Sequence, residues 1–346
     1  MTAAPAIRSR IASLRNARRA RRARVLGGLG LVLGLGVALT LSFGQSVYGP
    51  GTVWAVLGGA DLPGAGFTIR ELRLPRALVA LAAGAAFGLG GAAFQTLLRN
   101  PLASPDILGI SAGASAAAVF AIVILGLGGT AVSVAAVVAG LGVAALIAVL
   151  AGRGGAAGAR LILIGIGLAA LLHSITAYIL TRAPSWSLHE SMRWLSGSVN
   201  GAQLDQLWPL GGALLLFGGV VLALTRDLET LRMGEEAAGS LGVRLGAVRL
   251  AILLAAVGLV AIATAITGPV AFAAFLPGPI AARLTGRDGP ILVPAALIGA
   301  ALLLICDFAG QVLLPASYPV GVVTGVLGAP YLVFLILRDT RTGGSL

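Results

Sequence analysis

Apolar runs long enough to cross a bilayer recur along the whole of this 346-residue chain, and no other feature limits its fold so severely. A helix needs about 20 residues to cross roughly 30 Å of hydrocarbon. Ten such segments can be drawn, at about 25–44, 76–97, 107–126, 129–151, 160–181, 206–225, 247–267, 269–285, 291–313 and 321–338. Hydrophobic residues make up 58% of the chain and charged residues only 10%, against about 25% charged in a soluble domain. No water-soluble fold buries that much apolar surface. The runs are long and do not alternate, which argues against a membrane β-barrel. The chain reads as an all-α, polytopic membrane protein.

Its sidedness follows from arginine. All 24 basic residues are Arg. With the N-terminus in the cytoplasm, the inward segments 1–24, 98–106, 152–160, 226–249, 283–290 and 338–346 hold 19 of the 24. The outward segments hold only Arg70, Arg73, Arg76, Arg182 and Arg193. The positive-inside rule selects this orientation and places both termini in the cytoplasm. Residues 1–24 form a basic arm, 25–340 the transmembrane domain and 341–346 a tail. The arm has no interleaved aromatics and presents no basic face of a soluble domain. The formal charge of +12 therefore reads as membrane orientation, not nucleic-acid binding. The arm's basic stretch is also too long for a cleavable signal peptide. Contact between the arm and anionic lipid stays open.

Much chemistry is excluded. Without Lys there is no P-loop, and no Schiff base can form. The single Cys306 excludes an internal disulfide and reads as helix packing. No His/Cys cluster, no paired catalytic carboxylates and no nucleophile with a base are evident, so neither an enzyme nor a bound cofactor is expected. Ionisable residues at membrane depth are few: His173 and Asp307, with Asp106 and Glu71 at span margins. His173 reads as hydrogen-bonded into the bundle, with a place on a transport path as the alternative. Asp307 reads as a helix-end or packing group. An ion-coupled secondary transporter would be expected to carry more intramembrane acids.

Two stretches break the apolar background. RNPLASPDILGISAGA (99–114) carries Pro101 and Pro105, which end one helix and open the next. Ser104 or Asp106 suits a cap there, and Gln95 and Asn100 suit released carbonyls. TRDLETLRMGEEAAGSLGVRLGAVR (225–249) is charged and punctuated by Gly234, Gly239, Gly242 and Gly246. It predicts two short helices joined by a tight turn against the membrane face, with Glu235 and Glu236 in a first turn that favours negative charge. A solvated connector and a docking element for a cytoplasmic partner fit it equally. The pairs Gly84/Gly88, Gly109/Gly113 and Gly321/Gly325 suit close helix approach.

LRLPRALVALAAGAAFGLGGAAFQTLLRNPLASPDILGISAGA (72–114) resembles the signature of the FecCD family, the permease subunits of importers for ferric siderophores, haem and vitamin B12. MGEEAAGSLGV (233–243) resembles that family's coupling segment. GPVAFAAFLPGPIAARLTG (268–286) and YPVGVVTGVLGAPYLVFLILR (318–338) resemble its last two blocks, in order. The resemblance covers about residues 25–340. It implies ten helices and a homodimeric or heterodimeric permease with the substrate path at the shared interface. It also implies two ATPase subunits docked at about 233–246 and an extracytoplasmic siderophore-binding protein on the outer face.

By the same resemblance, Arg73 and Arg76 meet the binding protein. Gly234, Glu235, Glu236, Ala238, Leu241 and Gly242 meet the ATPase, and Gln95, Asn100, Pro101 and Pro105 shape or gate the path. The chain departs from the family pattern at several places. Gly278 stands where His is frequent, Arg287–Asp288–Gly289 replaces DHR, and SYPVG replaces Glu-x-Pro-Val-Gly. Cys306–Asp307 replaces Ala-Asp, and Gln311 stands where a third docking Arg is common. The lost outer Arg favours a heterodimer. This variant form is most similar to the ferric-enterobactin-type permeases. The expected protein is a multi-pass permease subunit of the bacterial cytoplasmic membrane, part of an ATP-driven ferric-siderophore importer. Haem and cobalamin are the alternative cargoes.

Overall fold

A computed structural model describes residues 3–151, 157–286 and 289–341. Arg287 and Asp288, and the tail after Arg341, lie outside the described residues. In chain order the helices are α1 Ala3–Ser42, α2 Pro50–Leu57, α3 Ala65–Leu98, α4 Ile110–Val123 and α5 Thr130–Ala151. They continue with α6 Ala157–Thr181, α7 Ser185–Leu195, α8 Leu204–Ala223, α9 Thr225–Leu231 and α10 Glu235–Ser240. The last four are α11 Leu245–Thr267, α12 Pro277–Thr285, α13 Leu292–Leu313 and α14 Val320–Arg341. Among the described residues no strand occurs. Seven helices (α1, α3, α5, α6, α8, α11 and α13) contain stretches long and apolar enough to cross a membrane, and α4 and α14 contain shorter apolar stretches.

Contacts join connecting segments that the arginine count places on the same face. Arg21 in the arm donates to the carbonyls of Leu284 (3.0 Å) and Arg283 (3.1 Å), answering the last turn of α12 where a cation suits the helix dipole. Arg99 reaches Glu235, so a second and a third expected-inward segment meet each other. On the opposite face the amide of Ser198 donates to Thr267 O (2.6 Å), and that of Gly321 to Gly197 O (3.0 Å). Inner and outer denote these two faces, as the arginine count assigns them.

Two expected spans differ from the helices found. The third segment, expected over 107–126, is helical only from Ile110 to Val123, after a tight 3₁₀ turn at Pro105–Leu108. Its 14 helical residues cover about 21 Å, less than the hydrocarbon thickness. The eighth, expected over 269–285, becomes helical only at Pro277. Residues 268–276 are irregular, with Gly268 at φ 72° and Phe272 at φ 60°. Non-helical backbone at membrane depth survives only where protein covers it and answers its polar groups. Ala273, Ala274, Phe275 and Leu276 are buried, and Gln95 of α3 answers one of their carbonyls. Helix α1 runs unbroken from the basic arm into the first span. Helices α2 and α7 fill the two longer outer connections, which the sequence left without structure.

Helix α3 sits at the centre. Its span is 78% buried, against 17% for the span in α6. Helix α13 lies against α3 at backbone contact distance. A Cβ at Gly84, Gly88 or Gly299 would run into the facing main chain, so the absence of side chains sets this approach. The remaining core is Ala, Leu, Ile and Val from α3, α8, α11 and α13, with Phe87 and Phe94 as its largest buried side chains.

Candidate functional site

The inner face presents a short helix between two glycine turns. Gly234, at φ 117°, opens α10, and Gly242, at φ 86°, closes the turn that follows. Both values favour glycine, so these two residues serve the backbone. Ala238 was expected to touch the ATPase. Its side chain is fully buried on the underside of α10 and joins the central core. Its small side chain is what lets α10 lie flat on the bundle. Leu241, expected at the same contact, is 67% exposed, and Met233, which sequence reasoning passed over, is 72% exposed. The two flank α10 as apolar projections on a polar face. Glu236 is exposed beside them.

Glu235 faces partly inward along the surface. One of its carboxylate oxygens accepts a hydrogen bond from Arg249 of α11 and lies 3.6 Å from Nη2 of Arg99. The Arg249 hydrogen bond, then its charge, holds the Glu235 carboxyl below the usual carboxylate range, with the charge of Arg99 adding to it.

Arg99 itself ends α3 in the left-handed region at φ 52°. The turn it opens is held locally. Asn100 N–H donates to Gln95 O (3.1 Å), and the Asn100 side-chain oxygen accepts from Leu102 N–H (2.8 Å). The Asn100 side chain thus makes a turn of its own and does not answer a released carbonyl. Pro101 is exposed, whereas Pro105 is buried as the first residue of the 3₁₀ turn. Ser104 Oγ caps that turn, accepting from Asp106 N–H (3.4 Å), and the Asp106 carboxylate accepts from Ser104 (3.3 Å) and Ser111 hydroxyls. Gln95 is 4% exposed and donates through Nε2 to Phe275 O (3.0 Å). Gly278, where the family pattern often has His, makes room for it: a Cβ there would fall on Gln95 Oε1.

On the outer face the arginines expected to meet a binding protein are engaged within the chain. Arg73 donates to the carbonyls of Leu41 (2.8 Å) and Ser46 (2.5 Å) and lies over the Tyr48 ring. Arg76 donates to both oxygens of Asp307 and to Asn200 Oδ1 (2.9 Å). Asp307 is buried near the outer end of α13. It is the partner of Arg76. Arg70 is likewise turned to the Val56 carbonyl. Gln311, at the position of the family's third Arg, has its amide nitrogen buried without a partner among the described residues. His173 also differs from expectation. It is exposed near the middle of α6, without a hydrogen bond to the described residues, because α6 packs through a narrow stripe and leaves its other side open. Among the described residues no group of His, Cys, Asp or Glu could hold a metal.

With this geometry in place, comparison with known proteins is direct. The model of the FecCD transport family matches residues 32–338. The chain belongs to that family. It is 39% identical over 290 residues to the ferric enterobactin transport system permease protein FepG of Escherichia coli, covering 84% of this chain and 88% of that protein. It is 37% identical to the achromobactin transport system permease protein CbrC of Dickeya dadantii, over 91% of each. A solved metal-chelate type ABC transporter in an inward-facing conformation superposes with a TM-score of 0.81 at 26% identity, covering 91% of this chain and 99% of that one. The ten apolar segments, two of them incomplete as helices, are thus an ABC-importer permease fold in a multi-pass membrane protein.

Proposed function

We propose that this chain is one permease subunit of an ATP-driven importer that carries a ferric siderophore across the bacterial cytoplasmic membrane, with both termini in the cytoplasm. The observation that carries the reading is the family match over residues 32–338 together with α10, which Met233 and Leu241 flank as exposed side chains. Two ATPase subunits supply the hydrolysis, since a chain without Lys holds no P-loop, and each docks on a segment of this kind. Its contacts are Met233, Glu236, Leu241 and the surrounding turn. The cargo class follows the relatives, whose names are those of ferric enterobactin and achromobactin permeases.

A second permease subunit covers the open side of α6. His173 lies near mid-span there, and an imidazole facing lipid at that depth is costly, so protein or a water-filled path must cover it. A heterodimer is the favoured pairing, because Gln311 gives this subunit a weaker outer contact than the family's Arg would. The binding protein meets the outer face at Arg73 and Arg76. Arg73 carries more of that contact, since Asp307 already neutralises Arg76.

The test is the complex of both permeases and the ATPase in nanodiscs, offered binding proteins loaded with ferric siderophore, haem or cobalamin. Stimulation of ATP hydrolysis by the ferric-siderophore form supports the reading. Stimulation by the haem or cobalamin form alone replaces the cargo.

A further inference from the structure

One carboxylate oxygen on the inner face joins three elements of the chain. Glu235 begins α10, Arg249 lies in the second turn of α11, and Arg99 terminates α3. The two guanidinium groups converge on the same Glu235 oxygen, one by a hydrogen bond and one at 3.6 Å. No other ion pair among the described residues links α10 to the rest of the chain. We propose that Glu235 is a positioning residue that couples movement of α10 to the membrane helices, by holding Arg99 and Arg249 on a single carboxylate. This rests on the reading of α10 as the place where an ATPase subunit docks.

First, α10 has six residues and is entered and left through glycines of positive φ, so its backbone alone is a poor lever. A force applied to α10 needs a side-chain tie to reach the bundle. Second, Arg99 is not on a loose loop. Two residues at the end of α3 are bound into one unit: Arg99 N–H donates to Thr96 O (3.2 Å), and Asn100 N–H to Gln95 O (3.1 Å). The Gln95 side chain then holds Phe275 O (3.0 Å), within the irregular segment that precedes α12. A displacement of Glu235 is therefore delivered to the α3–α4 turn and to the buried non-helical stretch that precedes α12. Third, the carboxylate does more than attract. Without it two like charges would face each other across the α3–α11 gap, so neutralising Glu235 turns a tie into a repulsion.

All three side chains are close to half exposed, at 46%, 48% and 42% for Arg99, Glu235 and Arg249. The link is accordingly an adjustable contact at the membrane surface and not a buried strut. That suits a joint that must transmit a stroke and relax again.

The complete importer, reconstituted in liposomes with its ATPase, second permease and binding protein, tests this by comparing uptake with hydrolysis. Glu235→Gln is expected to lower the cargo moved per ATP hydrolysed about tenfold, as for the loss of one coupling interaction. Glu235→Arg is expected to fall further, and adding Arg249→Glu to it, which restores the pair with signs exchanged, to recover uptake several-fold. An unchanged ratio in Glu235→Gln overturns the proposal. So does loss of ATPase co-purification, which would make Glu235 a docking contact. So does a parallel fall of uptake and hydrolysis without rescue by the exchange. A wild-type complex that shows no ATP-driven uptake at all would instead remove the functional reading on which the link rests.

Discussion

Arg76 and Asp307 are 231 positions apart and meet in a two-pronged pair, Nε and Nη2 each 2.7 Å from a carboxylate oxygen. The side chains are only 12% and 2% exposed, so the pair pins the outer end of α3 to that of α13 out of water. Removing one member of a buried pair strands the other charge and costs about 3–5 kcal/mol, while removing both together costs less. Arg76→Met and Asp307→Leu are each expected to lower the melting temperature of the detergent-solubilised chain strongly. The double variant is expected to recover part of the loss. Additive losses would mean that the two groups do not act as a pair.

The same two helices touch through glycine. Gly299→Ala puts a methyl into the Gly84 main chain and is expected to cost about 1–3 kcal/mol by overpacking. Gly211→Ala, in a helix where nothing lies near the added carbon, is expected to be close to neutral. Thermal unfolding of both variants checks the contrast.

At the inner face, Met233 and Leu241 are the large apolar side chains that flank α10. Exposed apolar anchors of this kind carry a disproportionate share of binding energy once a partner covers them. Met233→Ser with Leu241→Ser is expected to weaken ATPase association about tenfold or more while leaving the fold of the isolated chain intact. Ala238→Leu, by contrast, should disturb the chain itself, because that side chain has no room. Affinity measured by light scattering, alongside the melting temperature of the permease alone, separates the two effects.

The depressed pKa of Glu235 fixes the sign of a pH effect. A carboxylate held below its unfolded value contributes its stabilisation above about pH 4.3, and loses it only as the pH falls through the folded value. The α10–α11 tie should therefore be insensitive to pH between about 8 and 5 and loosen only at stronger acidity. Spin labels at Ser240 and Ala247 are expected to report a constant distance over the upper range. A separation that grows between pH 7 and 5 would show that the tie does not rest on this carboxylate.

What could be seen in the sequence follows from how each feature is encoded. Run length alone marked the segments, and arginine placement grouped the connecting segments as the contacts of Arg21 and Arg99 also group them. The break at 268–276 was hidden because its residues are as apolar as a helix. Only Gly268–Pro269 hinted at it, and its stability depends on Gln95, more than 170 positions away. The turn after Arg99 was legible from its prolines, whereas the use of Arg99 as a partner for Glu235 was not. Arg73 and Arg76 matched a docking pattern by position, yet their guanidinium groups are held by Leu41, Ser46 and Asp307, which local sequence cannot reveal. Ala238 and Leu241 are three residues apart in one motif and have opposite fates, one sealed in the core and one exposed.

We propose that this chain moves cargo by a partner's ATP hydrolysis and not by an ion gradient of its own. The direct measurement is accumulation of radiolabelled iron, supplied as a ferric siderophore on its binding protein, in sealed proteoliposomes containing the assembled importer. Accumulation should require enclosed ATP, the ATPase subunits and the binding protein together, and should be indifferent to a proton or sodium gradient. Uptake by the permease alone, driven by such a gradient and unaffected by ATP, would contradict the account.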